Sequence, residues 1–566
     1  MDVDRLFAMA LAKHQDGFLD EAVATYQQVL ASIPDAIPAW VNLGLAWQGL
    51  GHLPQAASAL CRAVVLAPES PMAVDLCNDL GNLLSAQRRF AEAETIFHRA
   101  ISLGPEFAQP YNNLAAMQVD AGEPAAALAA CRRALAIQPE NPQAFNNLGN
   151  ALMELGQTEA AVGAFMRALS LQPDFAEAAT NLSGALIDQG ASEAAIALCR
   201  QAIALRPEQA DVYNNLGNAL REAGRLAEAA KVFQRALWLA PDDAEIHYNA
   251  SSVLLKRGDF AAGWREFEWR KRTERSAFRK MPLPGPEWNG QSLHGKTLLL
   301  YAEQGLGDVL QFVRYVPEIA ARVGGPVVLR VFPPLRRLLT GFPGTVAVVS
   351  TDDPLPDYDC HMPLMSLPMC CGTVLETIPA AVPYLFAEPS AVQGWRDRLA
   401  AFPGRKVGLV WAGDPRPHQR GAHLMDRRRS LALAQFVDAL RVPGIQWISL
   451  QKGGAGLQAR MPPAGADLWD PMDEIGDFAD TAALVSALDL VVTVDTSVAH
   501  LAGGLGKPFW LVSRFDGCWR WLDGCEHSPW YPTARIYHQT AWSDWRPVLR
   551  RLSLDLARWV TMTAIG

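Results

Sequence analysis

Up to about residue 242, apolar and small residues recur at helical spacing in blocks that close on proline, at positions 34, 68, 105, 139, 173, 207 and 241. The intervals are 34 residues, with one of 37. Each block opens with an aromatic, then Leu and Gly, then another apolar residue, as in Trp40, Leu43, Gly44 and Trp47, or Phe145, Leu148, Gly149 and Leu152. Its second half carries Ala, a large apolar residue and Ala, as in Ala161, Phe165 and Ala168, or Ala229, Phe233 and Ala236. Each block therefore predicts two amphipathic helices. The alanines let neighbours approach, and the proline ends the second helix because it cannot continue it.

That period and signature are the tetratricopeptide pattern. The spacing predicts seven repeats over about residues 2 to 242 and a degenerate eighth to about 272, with Trp264, Phe267 and Trp269 capping the stack. Such units bury their apolar faces only against neighbours, so residues 1–272 predict an α-helical superhelix with a concave groove. One polar position recurs on a single helical face: Asn42, Asn113, Asn147, Asn181, Asn215 and Asn249, with Asp79 in the remaining unit. Carboxamides both donate and accept, so a ladder of them can grip the backbone of an extended polypeptide without reading its sequence. Asn is also simply frequent at this position of such repeats, and the residues alone leave both readings open.

After a linker at 273–295, rich in basic residues and then proline, the rhythm changes to short apolar runs, Gly-rich turns and amphipathic helices. KTLLLYAE, QGLGD, VLQFVRYVPEIAARV and PVVLRV follow in that order, and a second series runs from KVGLVWAG through QWISLQKG to LDLVVTVDTSVAHLAGGLGKPFWLV. This alternation argues α/β with parallel strands in two Rossmann-like lobes, 296–390 and 391–566. The final segment from Trp542 predicts a helix, expected to cross back to the first lobe as in two-lobed transferases.

In such sheets ligands bind beyond the carboxyl ends of the strands, which selects four loops. In the first, Gly305, Gly307 and Asp308 follow a strand and open a helix; the glycines permit close backbone approach, and Asp308 is either a cleft carboxylate or an ordinary helix cap. In the last, Asp495, Thr496, Ser497 and His500 follow a buried strand, and hydroxyls with free N–H groups at a helix start suit a phosphate. Lys452 can add a point charge. The bland alternatives are capping for Thr496 and Ser497 and a satisfied helical histidine for His500. Arg427 to Arg429 with Ser430 form a second candidate phosphate group, and Asp357 with Asp359 spells a DxD in an irregular stretch where no metal is expected.

Composition narrows the class. The chain has 566 residues, half of them hydrophobic, and a net charge of −9 with no basic block, which argues against an electrostatic nucleic-acid binder. Its nine cysteines are scattered without zinc or CxxC spacing, which suggests a reducing, cytoplasmic setting. The N-terminus lacks the basic start and apolar core of a signal peptide. No apolar run approaches the length of a membrane span.

The run VDTSVAHLAGGLGKP resembles the nucleotide-sugar signature of heptosyltransferase-type enzymes (glycosyltransferase family 9), and Gly307-Asp308-Val309-Leu310 resembles the loop that holds that family's catalytic Asp. VGLVWAG, RRRS, SLQKG and HSPWYP resemble a bacterial branch in which such a domain follows tetratricopeptide repeats, some members of which glycosylate flagellin. The resemblance implies a GT-B transferase with Asp308 as general base, and Gly307, Lys452, Asp495, Thr496, Ser497 and His500 around a nucleotide-sugar donor. Neither metal nor other cofactor is implied. The Asn ladder resembles that of the O-GlcNAc transferases, which implies an acceptor polypeptide, flagellin-like, on Asn113, Asn147, Asn181, Asn215 and Asn249. Gln311 stands where the heptosyltransferase loop usually has His, a departure that bears on the acceptor. The other readings are a transferase acting on lipopolysaccharide or another glycan, with repeats that recruit a partner, and an inactive scaffold. A homodimer is a candidate assembly, since repeat arrays often mediate one.

Overall fold

The computed structural model describes residues 2–68, 72–273, 283–416 and 420–563. The chain divides into two compact units, Met1–Pro207 and Glu208–Gly566.

The first unit consists of six helix hairpins, from Val3–Gln15 with Leu19–Ser32 to Ala176–Asp188 with Ser192–Leu205. Their sequence signature has a steric origin. A Cβ on Gly149 would lie 2.4 Å from the Phe165 ring, and one on Gly81 would lie 2.6 Å from Phe97. Both rings are fully buried, so the Leu-Gly pair exists to let the second helix's aromatic press onto the first helix. The tight turn inside a hairpin needs a left-handed residue, supplied for example by Gly156 at φ 73°; in the third hairpin Arg88 takes that conformation at φ 59°.

The second unit begins with two more hairpins, Ala210–Glu222 with Leu226–Leu239 and Ala244–Lys256 with Phe260–Phe267. The aromatics expected to cap the stack do something else. Phe260, Trp264 and Phe267 join Phe312, Trp519 and Trp530 in one apolar core, and Trp264 Nε1 donates to the Thr373 carbonyl at 3.1 Å. Three large aromatics remove too much apolar area from water to serve as an exposed lid. Only Trp269 stays at the edge, stacked on His247 at 3.8 Å.

Two parallel sheets follow. The first has strands β1 (Leu298–Tyr301), β2 (Val327–Val331), β3 (Ala347–Ser350) and β4 (Cys360–Pro363), in the order β3-β2-β1-β4. The second has β5 (Arg405–Val410), β6 (Ile445–Ser449), β7 (Leu468–Trp469), β8 (Leu490–Val494), β9 (Phe509–Ser513) and β10 (Ala534–His538). Its order is β10-β9-β8-β5-β6-β7. Counted within each sheet, these orders are 3-2-1-4 and 3-2-1-4-5-6, the doubly wound arrangement. The near-continuous apolar strands, such as Leu490–Val494 with every residue buried, are what two covered faces demand.

The C-terminal helix Arg546–Thr563 does not cross to the first lobe. Val548, Leu549, Leu552 and Leu556 pack into the core of the second sheet with Trp411, Trp447 and Tyr537, so its apolar face is already satisfied there. The lobes are joined elsewhere: the Tyr384 and Leu385 N–H groups both donate to the Gly504 carbonyl at 2.9 and 3.0 Å, and Arg314 donates to the Trp530 carbonyl at 2.8 Å.

The Gly149–Phe165 contact yields a test. Gly149→Val overpacks this site and is expected to cost roughly 2–3 kcal/mol. Urea unfolding followed by far-UV circular dichroism measures it; an unchanged midpoint would contradict the steric reading.

Candidate active site

In both sheets the strand order reverses, between β1 and β4 and between β5 and β8, and crevices open at the carboxyl ends there. The loops after β1, β5, β6 and β8 line a cleft of about 840 Å³. Gly307, Asp308, Lys452, Asp495, Thr496, Ser497 and His500 all lie on its wall.

Asp308 sits in the first turn of the helix Leu306–Phe312, where its Oδ2 accepts from the Gly305 N–H at 2.7 Å. The capping role is therefore real, and it uses only one oxygen. Oδ1 forms an ion pair with Arg520. The Arg520 guanidinium also donates to Gln311 Oε1 at 2.5 Å and to Cys518 Sγ at 3.2 Å. Burial is the largest influence and works against the Arg520 charge, but Asp308, Cys518 and Asp495 together outweigh it, so the arginine's pKa is raised.

Opposite lies the helix Ser497–Gly504. Its N-cap Thr496 makes no side-chain capping bond; the hydroxyl instead faces Thr493 Oγ1 at 3.2 Å. Capping thus does not explain Thr496, and among the described residues the N–H groups of Ser497 and Val498 have no acceptor. Such a start attracts anions. His500, 6% exposed, exchanges a hydrogen bond of 2.9 Å between Nδ1 and Tyr531 OH. Burial, with Arg520 and Arg314 adding repulsion, drives its pKa well below the ordinary histidine value, so it is a neutral wall of the cleft.

Lys452 Nζ donates to the Ile475 carbonyl. The arginine run divides: Arg427 is exposed, Arg428 pairs with Glu222 at 2.8 Å and Asp516 at 3.4 Å, and Arg429 lines the cleft with Nη1 on the Asp495 carbonyl at 2.9 Å. Ser430 Oγ accepts from the Gly413 N–H at 2.9 Å, which shapes the loop after β5. The DxD is not assembled as a pair of ligands: Asp359 Oδ2 accepts from the Thr297 N–H at 2.7 Å and fixes the approach to β1.

Three residues of the cleft's frame escaped the sequence reading. Arg520 lies between Trp519 and Trp521, and a charge set among large aromatics was the available signal. Gln451 Oε1 accepts from the Trp411 and Ala412 N–H groups at 3.0 and 2.8 Å, joining two loops. Tyr531 holds His500 from a segment 31 residues away. The last two lie in the SLQKG and HSPWYP runs quoted above, which marked the segments but not the contacts these side chains make.

The ladder asparagines are cross-links. Nδ2 of Asn113, Asn147, Asn181 and Asn249 donates to Oδ1 of Asn78, Asn112, Asn146 and Asn214, one residue earlier in the preceding repeat, at 2.8 to 3.0 Å. Asn42 bonds to its own helix at the Pro38 carbonyl, and Asn215 is part-buried at the equivalent position. In the four cross-linking asparagines an amide N–H is committed to a repeat-to-repeat bond, and the Asn113 oxygen also accepts from Gln109 Nε2 at 3.4 Å.

Residues 7–71, 78–142 and 146–210 match one tetratricopeptide repeat family and 186–250 match another. The chain therefore carries tetratricopeptide repeats followed by a region of parallel sheets. Protein FlbA of Caulobacter vibrioides is 27% identical over 316 residues, so the match spans about half of each chain, 52% of both. Among solved structures, MamA is 24% identical with TM-score 0.28, covering 30% of this chain and 92% of its own. A tetratricopeptide repeat protein from Parabacteroides merdae is 18% identical with TM-score 0.36, covering 41% and 91%. No helix among the described residues is long and apolar enough to cross a membrane.

The neutral His500 predicts a pH effect. Its folded-state pKa is depressed, so its contribution is whole above the unfolded value near pH 6.5 and is lost as pH falls below it. Between pH 6.5 and 5.5 the wild type should lose about 1 kcal/mol more stability than His500→Gln, in which that group cannot titrate. Urea titrations at the two pH values decide it, and equal losses would contradict the buried neutral state.

Proposed function

We propose that the chain is a GT-B glycosyltransferase that moves a sugar from a nucleotide-sugar donor to a hydroxyl side chain of a protein held by the repeats. The observation that carries this reading is the cleft between two doubly wound sheets, where Asp308 faces an uncapped helix start flanked by Lys452 and Arg429. In the proposed reaction the acceptor oxygen attacks the sugar's anomeric carbon and gives its proton to Asp308. The bond from that carbon to the phosphate oxygen breaks, and the leaving diphosphate carries the released charge toward the Ser497 N–H, Lys452 and Arg429. The chemistry needs only the donor as co-substrate, and Gln311 in place of His is consistent with an acceptor other than a heptosyltransferase's.

A second reading is a transferase for lipopolysaccharide or another glycan, with repeats that recruit a partner protein. It is favoured by Asn113, Asn147 and Asn181, each of which already commits an amide N–H to the preceding repeat.

Co-expression with the flagellin of the same organism, followed by intact mass of that flagellin, tests the first reading. A mass increase with wild type that is absent with Asp308→Ala is expected; no increase, with soluble enzyme and donor supply confirmed, moves the glycan reading to the front. Replacing Asn113, Asn147 and Asn181 together with alanine should lower transfer to protein by at least about tenfold if the ladder grips the acceptor. A circular-dichroism melt of the same variant separates loss of grip from loss of the cross-links, and undiminished transfer by the folded variant would remove the ladder from the acceptor site.

A further inference from the structure

We propose that Arg520 is a ligand for the donor's diphosphate and that, until the donor arrives, it holds Asp308 in an ion pair that withholds the carboxylate from acceptor chemistry. The inference rests on the transferase reading above and adds to it an order of events and a residue that senses the donor.

The geometry sets out the conflict. Asp308 gives Oδ2 to the Gly305 N–H and Oδ1 to Arg520. The first bond belongs to the helix start and helps to fix it. The second is made by a side chain that lines the cleft, and it is no part of the helix start. With Oδ2 on the Gly305 N–H and Oδ1 on Arg520, the ligand-free cleft presents Asp308 with both oxygens engaged and neither facing an acceptor hydroxyl alone.

Arg520 is also placed to reach the other wall. A Cβ on Gly307, next to Asp308, would be 3.3 Å from the Ser497 Cα, so the Asp308 helix and the anion-attracting helix start are in contact at this point. Arg520 feels the charge of Asp308 on one side and that of Asp495, at the mouth of the second loop, on the other. The other cleft cations have partners of their own: Lys452 the Ile475 carbonyl, Arg429 the Asp495 carbonyl and Asp426, Arg514 the Asp516 carboxylate at 3.0 Å and Arg416 that of Asp414 at 3.8 Å. Arg520 is the cleft cation whose partner is the proposed base itself.

Gln311 supports the same assignment. It is fully buried and gives its carbonyl oxygen to Arg520 Nε, while its own Nε2 has no partner among the described residues. An unpaired buried donor is destabilising, and the contact it accompanies here is the one that places Arg520. A diphosphate carries more charge than one carboxylate and offers the paired oxygens that a guanidinium prefers. Once bound at the Ser497 helix start, it competes for Arg520, and Asp308 is freed as the donor seats. Donor binding then precedes productive acceptor binding.

The test is calorimetry of the full chain with ADP, GDP, CDP and UDP. Wild type is expected to bind at least one of them. For that nucleotide, Arg520→Gln should bind at least about tenfold more weakly, with Arg520→Lys between the two. Asp308→Asn keeps an acceptor for the Gly305 N–H but removes the competing charge, and should bind about three- to tenfold more tightly. Circular-dichroism melts establish that the variants are folded. If wild type binds a nucleotide and folded Arg520→Gln binds it equally well, or Asp308→Asn binds no more tightly, the clamp is wrong while the donor reading stands. If wild type binds none of the four, the donor reading itself fails and the clamp with it.

Discussion

The geometry of the cleft depends on one close approach. At Gly307 the helix that follows β1 meets the helix that follows β8, and a single methyl there would stand 2.8 Å from the His500 ring. The absence of a side chain at that point lets the carboxyl edges of two sheets face each other with Asp308 on one side and the Ser497 helix start on the other. Packing at this density is discrete, so the approach either exists with this spacing or the walls separate. His500 completes the contact from behind. Held neutral between Tyr531 and Trp521, it adds bulk to the joint without adding charge to a region that already contains Arg314 and Arg520.

Around that joint, buried charges fix position. Arg270, following the last hairpin, is 3% exposed and pairs with Glu268 and Glu303, the latter just beyond β1. Arg428, at the edge of the loop after β5, pairs with Glu222 of the hairpin that opens the second unit. Buried pairs of this kind contribute little net stability, because desolvation offsets much of the attraction, but breaking one leaves an uncompensated charge and is costly. Their effect is to define one arrangement of helices against sheets. They also explain why three adjacent arginines have three fates: one meets solvent, one anchors the loop and one turns into the cleft.

The Asn ladder shows how one residue type can satisfy two demands. A carboxamide has two donors and an acceptor, and here a donor of one repeat meets the oxygen of the repeat before it. The stack gains a polar thread beside its apolar core, in which Asn112 and Asn146 are nearly inaccessible. The same frequency of Asn that suggested a peptide-binding face therefore has a structural cause, and whatever binding the ladder performs is done with the groups left over.

The sequence by itself determined whatever follows from local periodicity: the helix hairpins, read from a 34-residue rhythm and the Leu-Gly signature, and the parallel strands, read from unbroken apolar runs between Gly-rich turns. It also selected the loops that line the cleft, because strand ends followed by helix starts are local events. Only the tertiary structure decided which side chains meet. Arg520 reaches Asp308 across 212 residues of chain, Tyr531 holds His500, Trp264 enters the sheet core where a cap was expected, and the last helix stays on its own sheet where a crossing was expected. Each of these depends on where apolar area and charge find a partner after the elements have formed, and pairing across such distances leaves no periodic trace in the order of residues.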